Sequence, residues 1–217
     1  PEFDAEDLLS FVDGASDVCD AVGATYVGGD LDDHEEFTVA TTALGATDAP
    51  VRRSGATPGE AVVVTGSLGR SAAALRLFDS GAVDRANDLF RFVPRVAAGE
   101  ALAPTAGAMM DSSDGLARSL HQLAEASDCG FAIEWDRVPV HPAVEEVATD
   151  AIDRRELFAF FGEDFELIAT VPEAKLPAVR ERSPTELTVV GTVIDAEHGI
   201  TADGEVLPDR GYTHAGD

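Results

Sequence analysis

The sequence predicts an α/β or α+β fold, in which helices pack against a sheet. From Val51 onward, short apolar runs alternate with amphipathic or alanine-rich stretches, and glycine, proline or aspartate separates most of them. The length of 217 residues and the 45% hydrophobic content are enough for a buried core. We therefore expect residues 51–217 to form one domain with helices packed on a sheet.

The first fifty residues follow a different pattern. Residues 4–22 predict an amphipathic helix, and its apolar side consists of Leu8, Val12, Ala15, Cys19 and Val22. Residues 24–27 and 37–44 are predicted to pair as a hairpin. A helix and a hairpin alone have too little interior to be stable. We therefore expect residues 1–50 to be the C-terminal remnant of a larger N-terminal domain whose beginning is missing.

The elements of the second domain follow from apolar runs and their flanking turns. Strands are predicted where the apolar residues are continuous or alternate, at 61–65, 106–111, 131–134, 165–171 and 187–193. Helices are predicted at 71–78, in two short stretches around Pro94, at 114–126, with breaks over 142–161, and at 173–182. Residues 199–207 predict a terminal hairpin, because Asp203-Gly204 is a favoured turn pair.

The composition is strongly acidic. Asp and Glu number 41 against 15 Lys and Arg, a formal net charge of −26, and Lys175 is the only lysine. Such a surface repels nucleic acid and anionic lipid, so we expect neither as a partner. The self-repulsion requires screening, and at molar salt the Debye length is about 3 Å, which predicts a halophilic cytosol. The absence of a long apolar run or a basic signal segment also predicts a cytoplasmic protein.

The central acidic motif is Met110-Asp111-Ser112-Ser113-Asp114-Gly115-Leu116. Asp111 is predicted at the end of a strand, at an edge of the sheet where ligands bind. The residues that follow open a helix whose first amides are unpaired, which favours an anion if a cation neutralises the carboxylates. The alternative is an ordinary helix N-cap, since Ser and Asp are preferred there.

Two further acidic corners flank this motif in sequence. Gly28-Gly29-Asp30 allows close approach of a ligand and offers a carboxylate to a hard cation, or is simply a solvated hairpin turn. In the segment 162–167, alternation directs Asp164 and Glu166 to one side of a strand. Glu163 is predicted at its mouth, where it could bind a cationic or NH-bearing substrate. The alternative for this segment is an amphipathic edge strand.

Several enzyme classes are disfavoured. The turn at 66–71 has no lysine, so it is not a P-loop, and tight strand-to-helix packing explains its glycines better. The sequence contains no HExxH and no GxSxG, which disfavours a zinc site and nucleophilic hydrolysis. Cys19 and Cys129 support no disulfide framework. Arg52 and Arg53 could bind phosphate or serve as surface counter-charges.

Taken in order, six segments resemble the thiamine-monophosphate kinase family, within the ATP-binding aminoimidazole-ribotide-synthetase-like superfamily. They are Gly-Gly-Asp at 28–30, Arg-Ser-Gly-Ala-Thr-Pro-Gly-Glu at 53–60, Val-Thr-Gly-Ser-Leu-Gly at 64–69, Met-Asp-Ser-Ser-Asp-Gly-Leu at 110–116, Gly-Glu-Asp-Phe-Glu-Leu at 162–167 and Gly-Tyr at 211–212. The resemblance implies the C-terminal α/β domain of that superfamily, preceded by the tail of a truncated N-terminal domain that binds ATP and magnesium. With the acidic composition, it implies a haloarchaeal member.

The resemblance also implies an activity and site residues. The family transfers the γ-phosphoryl group of ATP to thiamine monophosphate, giving thiamine diphosphate and ADP, with several Mg²⁺ ions and no protein nucleophile. The implied roles are magnesium binding by Asp30, Asp111 and Asp114, ATP binding by Gly29, Asp30, Arg53 and Ser113, and substrate binding by Glu163 and Tyr212. Similar proteins form homodimers through the N-terminal domain, so we expect little turnover from these 217 residues alone.

Two alternatives remain at this point. One is another ATP-dependent enzyme of the same superfamily, such as a selenophosphate synthetase. The other is a non-catalytic acidic domain that binds divalent cations.

Overall fold

The computed structural model describes residues 5–32 and 38–213. It divides into two compact units, residues 1–49 and residues 50–217. Among the described helices, none combines the length and the apolar character that a membrane span requires.

The described part of the first unit contains one helix, α1 (Ala5–Ala21), as predicted. The five apolar residues expected on one side of this helix are all half-buried, and no described residue of the unit is fully buried. The predicted hairpin is wrong, because residues 24–27 and 38–44 contain no strand; Phe37 lies outside the described residues. An isolated two-stranded hairpin is marginal in water, which explains why apolar content alone does not produce one here.

The second unit is a seven-stranded sheet with helices packed on it, which confirms the predicted fold class. Its strands are β1 (Glu60–Thr65), β2 (Met109–Asp111), β3 (Cys129–Ile133), β4 (Leu167–Pro172), β5 (Leu187–Asp195), β6 (Ile200–Ala202) and β7 (Glu205–Val206). Its α-helices are α2 (Arg70–Asp79), α3 (Val83–Leu89), α4 (Val96–Leu102), α5 (Leu116–Ser127), α6 (Pro142–Val147), α7 (Ala151–Arg155) and α8 (Leu176–Arg182). A π-helical turn, Glu156–Phe160, follows α7.

The sheet is mixed but mainly antiparallel. The strand order is β2-β4-β1-β5-β3-β6-β7, and among the described pairs of named strands only β3 and β6 are parallel. The terminal hairpin of β6 and β7 turns at Asp203 and Gly204, both with positive φ, as their sequence predicts. β2 lies at one edge of the sheet, so the acidic motif begins where the sheet ends.

Both faces of the sheet are covered, which explains the continuous apolar run of β1. Val62 and Val64 pack in the cluster that includes the leucines of α5, whereas Val63 packs in a second cluster with Leu102 of α4 and Val179 of α8. Because successive side chains of a strand point to opposite faces, a strand buried on both sides has no polar alternation.

Two strands are shorter than predicted. The strand expected at 106–111 begins at Met109, since the amide of Ala108 donates to the hydroxyl of Thr170 instead of to a strand carbonyl (3.1 Å). The strand expected at 165–171 begins at Leu167. Glu163 and Phe165 have φ of +60° and +53°, and a strand cannot continue through such residues.

Candidate functional site

An acidic turn, residues 111–115, connects β2 to α5. Ser112 is buried in it and exchanges two hydrogen bonds with Glu166: its amide donates to the Glu166 carbonyl (2.8 Å), and its hydroxyl accepts from the Glu166 amide (3.2 Å). The N-cap of α5 is Gly115, with no side-chain capping bond. The ordinary N-cap interpretation of the serines and aspartates is therefore wrong.

The two carboxylates of the acidic turn differ in their contacts. Asp114 accepts a hydrogen bond from the Gln122 side-chain amide (3.1 Å), whereas no described residue donates a hydrogen bond to the Asp111 carboxylate. Within the described residues, no three His, Cys, Asp or Glu side chains come close enough to hold a metal ion together. Two half-buried carboxylates do fit Mg²⁺, which proteins commonly bind through one or two carboxylates plus substrate phosphates.

The segment 162–166 runs directly against the acidic turn. The amide of Glu163 donates to the carbonyl of Ser113 (2.8 Å). A Cβ atom added to Gly162 would overlap that same carbonyl oxygen and lie 2.6 Å from the amide nitrogen of Gly115. Only glycine therefore permits this approach, which places Glu163 beside the turn.

Asp164 is buried, with 5% of its surface exposed, and caps a helix from a distant part of the chain. Its carboxylate accepts the amides of Gly69 (2.6 Å) and Ser71 (3.0 Å) at the start of α2, where Gly69 has no side chain to do so. Burial raises the pKa of Asp164 to about 6, against the opposing effect of the amides that hydrogen-bond to it. The edge-strand interpretation of this segment is wrong, because β4 lies between β2 and β1.

Glu166 is the second buried acidic residue of this segment. It accepts two hydrogen bonds from Arg95 (2.6 and 2.7 Å) and one from the Thr65 hydroxyl (2.6 Å). The hydrogen bond to Glu166 raises the pKa of Arg95. A Cβ atom on Gly66 would overlap the Glu166 carboxylate, so this turn is packed tightly, as the glycine-rich sequence predicts. Alternation predicts that Asp164 and Glu166 share one side of the segment, but it does not indicate that this side is buried.

A pocket of about 570 Å³, which we call the aromatic pocket, lies beside the acidic turn. Its lining residues are Ser71, Leu75, Phe90, Phe160, Phe161, Glu163, Gly211 and Tyr212. The amide of Tyr212 donates to the carbonyl of Asp114 (3.0 Å), and a Cβ atom on Gly211 would overlap that carbonyl. The structure thus brings together four of the residues singled out in the sequence: Ser113, Asp114, Glu163 and Tyr212.

Of the other predicted residues, Asp111 is the first residue of the acidic turn, whereas Arg53 lies at the far end of α5. The Arg53 carbonyl accepts a hydrogen bond from the hydroxyl of Ser127 (3.0 Å), the last residue of α5. Because α5 has 12 residues, this end is about 18 Å from the acidic turn along the helix axis. Gly29 and Asp30 lie in the first unit, where both are exposed and Asp30 accepts a hydrogen bond from the amide of Leu31 (3.0 Å).

Comparison with known proteins identifies the family. Residues 57–203 match the family model of AIR synthase related protein, C-terminal domain. The chain is 59% identical over 214 residues to the thiamine-monophosphate kinase of the haloarchaeon Halobacterium salinarum, covering 99% of this chain and 73% of that protein. The acidic composition fits a halophilic protein.

Two solved structures agree with this assignment. The crystal structure of thiamine-monophosphate kinase from Stenotrophomonas maltophilia K279a matches with a TM-score of 0.65 and 30% identity, over 73% of this chain and 54% of that chain. The structure of AaThiL complexed with AMPPCP and TMP matches with a TM-score of 0.63 and 28% identity, over 76% of this chain and 54% of that chain. The chain thus spans about half of each solved chain and about three quarters of the haloarchaeal relative. It belongs to the thiamine-monophosphate kinase family.

Proposed function

We propose that this protein is a thiamine-phosphate kinase, an ATP-dependent phosphotransferase that converts thiamine monophosphate and ATP into thiamine diphosphate and ADP. One observation supports this most directly. The amides of Glu163 and Tyr212, both in the aromatic pocket, hydrogen-bond to the carbonyls of Ser113 and Asp114 in the acidic turn. A molecule in the pocket would therefore lie next to two carboxylates suited to a metal-bound phosphate.

The chemistry of the pocket fits thiamine monophosphate. Phe90, Phe160, Phe161 and Tyr212 offer aromatic faces, and Glu163 offers a negative charge. A cationic aromatic ring system gains from both, through stacking, cation–π attraction and an ion pair. The phosphate of such a substrate would extend toward the acidic turn.

Direct phosphoryl transfer needs positioning and charge neutralisation, not a protein nucleophile. In our proposal, Asp111 and Asp114 of the acidic turn bind Mg²⁺, and Asp30 is also a magnesium ligand. Bound Mg²⁺ would neutralise the phosphate oxygens of ATP and of the acceptor. Ser113 would contact ATP, as would Gly29, Asp30 and Arg53.

The wider setting is also a proposal. We infer that the whole protein is a cytoplasmic homodimer, that it acts on these small molecules without nucleic acid or membranes, and that residues 1–50 belong to its N-terminal ATP- and magnesium-binding domain.

A thermal-shift experiment on the 217-residue chain in molar KCl tests the proposal. We expect Mg²⁺, AMPPCP and thiamine monophosphate together to raise the melting temperature more than Mg²⁺ alone. An acidic domain that only binds cations would respond fully to Mg²⁺ alone, and this result would contradict the proposed function.

Two matched variants sharpen the experiment. Asp114→Asn removes a carboxylate from the acidic turn, and Asp136→Asn removes an exposed carboxylate that lines neither the turn nor the pocket. We expect the first variant to lose the combined shift and the second to retain it. Equal behaviour of the two variants would exclude the role given to Asp114.

A further inference from the structure

Glu163 has a left-handed backbone conformation that residues with a Cβ atom rarely adopt. Its φ is +60°, and Phe165, two residues later, has φ of +53°. Such conformations persist only where surrounding contacts hold them, and they cluster at functional sites. Glu163 lines the aromatic pocket, so its conformation determines how its carboxylate meets a ligand.

The peptide groups of Glu163 are held from two directions. Its amide donates to the Ser113 carbonyl (2.8 Å), and its carbonyl accepts the hydroxyl of Ser71 (2.6 Å). Ser71 is itself fixed, since its amide donates to the Asp164 carboxylate (3.0 Å). The contact between Ser71 and Glu163 therefore depends on the residue that follows Glu163.

Asp164 is the inward-facing residue between these two left-handed neighbours. Its carboxylate is buried against α2, whereas Phe165 is 44% exposed and packs its ring edge-on against Phe92, with centroids 5.4 Å apart. An extended chain here would release the strain at both neighbours but would no longer keep Asp164 on the amides of Gly69 and Ser71. The buried carboxylate thus opposes relaxation of the segment.

We propose that Asp164 is a positioning residue for substrate binding: by capping α2 it holds Glu163 in the left-handed conformation that presents its carboxylate to the aromatic pocket. This rests on the proposed function for the identity of the ligand. Asp164 does not line the pocket. Its effect on a ligand therefore passes through Glu163 and Ser71.

The test compares Asp164→Asn with Glu166→Gln in the 217-residue chain at molar KCl. The amides of Gly69 and Ser71 donate to different oxygens of the Asp164 carboxylate, so asparagine, which has the same shape, places an NH₂ donor opposite one of them. Glu166 is as buried as Asp164, but its side chain bonds to Arg95 and Thr65 and not to Glu163 or Ser71. The second variant therefore controls for a general loss of stability.

Two readouts separate positioning from stability. By calorimetric titration, we expect Asp164→Asn to weaken binding of thiamine monophosphate by about tenfold or more, with binding of Mg²⁺ and AMPPCP unchanged. By NMR hydrogen exchange without ligands, we expect the Glu163 amide to exchange faster in this variant. Glu166→Gln should change neither quantity, although it lowers the free energy of unfolding.

The outcomes distinguish the two proposals. If the unchanged protein binds no thiamine monophosphate, the proposed function fails, and exchange at Glu163 alone decides the role of Asp164. Unchanged exchange in Asp164→Asn overturns the positioning role, as does an equal loss of affinity in Glu166→Gln. If Asp164→Asn does not fold, Ser71→Ala replaces it, because this variant removes the hydroxyl bonded to Glu163 while keeping the amide bonded to Asp164. Since Ser71 itself lines the pocket, exchange at the Glu163 amide is then the deciding readout, and unchanged exchange overturns the positioning role.

Discussion

Replacing Arg95 by alanine should destabilise the protein by about 3 kcal/mol. The side chain of Glu166 is 6% exposed and that of Arg95 17%, so the variant leaves a buried carboxylate without its counter-charge. Removing one partner of a buried ion pair costs about 3–5 kcal/mol. We take the lower value because the Thr65 hydroxyl still donates to Glu166 and water can enter the space left by the arginine.

Urea unfolding at constant molar KCl measures this loss, with Arg85→Ala as the matched control. The ion pair of Arg85 with Glu146 has both side chains 48% exposed, and such surface pairs contribute under about 1 kcal/mol. The double variant Arg95→Ala/Glu166→Gln should be more stable than Arg95→Ala, because it no longer buries an unpaired charge. A double variant less stable than Arg95→Ala would refute this reasoning.

Three other predictions concern the site. Gly162→Ala should lower the free energy of unfolding, measured in urea, by several kcal/mol more than Gly204→Ala does. Both residues have positive φ, but only at Gly162 would a Cβ atom overlap the acidic turn. Equal losses in the two variants would contradict this prediction. Because burial raises the pKa of Asp164 to about 6, its contribution to stability is full below its unfolded pKa near 3.8 and falls by up to about 3 kcal/mol as pH rises through 6. The difference in unfolding free energy between the protein and Asp164→Asn should therefore fall as pH rises from 4 to 7. A difference that does not change over this range would exclude the raised pKa of Asp164. Gln122→Ala removes the donor to Asp114 and should weaken Mg²⁺ binding in the presence of AMPPCP by about 10–100-fold, as measured by calorimetry. The free energy of unfolding should change little, since the side-chain oxygen of Gln122 is buried without a hydrogen bond.

Local patterns predict the sheet and its helices well. The run around Val63 is apolar at every position because both faces of the sheet are covered, and Asp203-Gly204 produces the turn that its composition favours. The hairpin expected in the first unit fails for a related reason. The same apolar content forms a stable strand only where other strands and a helix cover it, and sequence does not show which segments are covered.

The candidate site is less visible in the sequence, because its contacts join distant positions. The amides of Gly69 and Ser71 reach Asp164 across more than ninety residues, and Arg95 reaches Glu166 across 71. Alternation places both acids on one side of the segment but fits a solvated side as well as a buried one. In a chain with 41 acidic residues, an internal carboxylate has no distinctive composition around it.

Glycines that lie in close contact with another segment mark the candidate site better than the charge of its carboxylates does. Gly66 touches Glu166, and Gly162 and Gly211 each touch a carbonyl of the acidic turn so closely that a Cβ atom would overlap it. Gly81 and Gly204, in surface turns, have no neighbour within 4 Å of such an atom. Both groups have turn-like sequences, so what separates them is the neighbouring segment that each approaches. Glycines at site positions such as 162 and 211 should therefore tolerate alanine far less well than glycines in turns, and a scan of unfolding free energies across both groups would measure that difference directly.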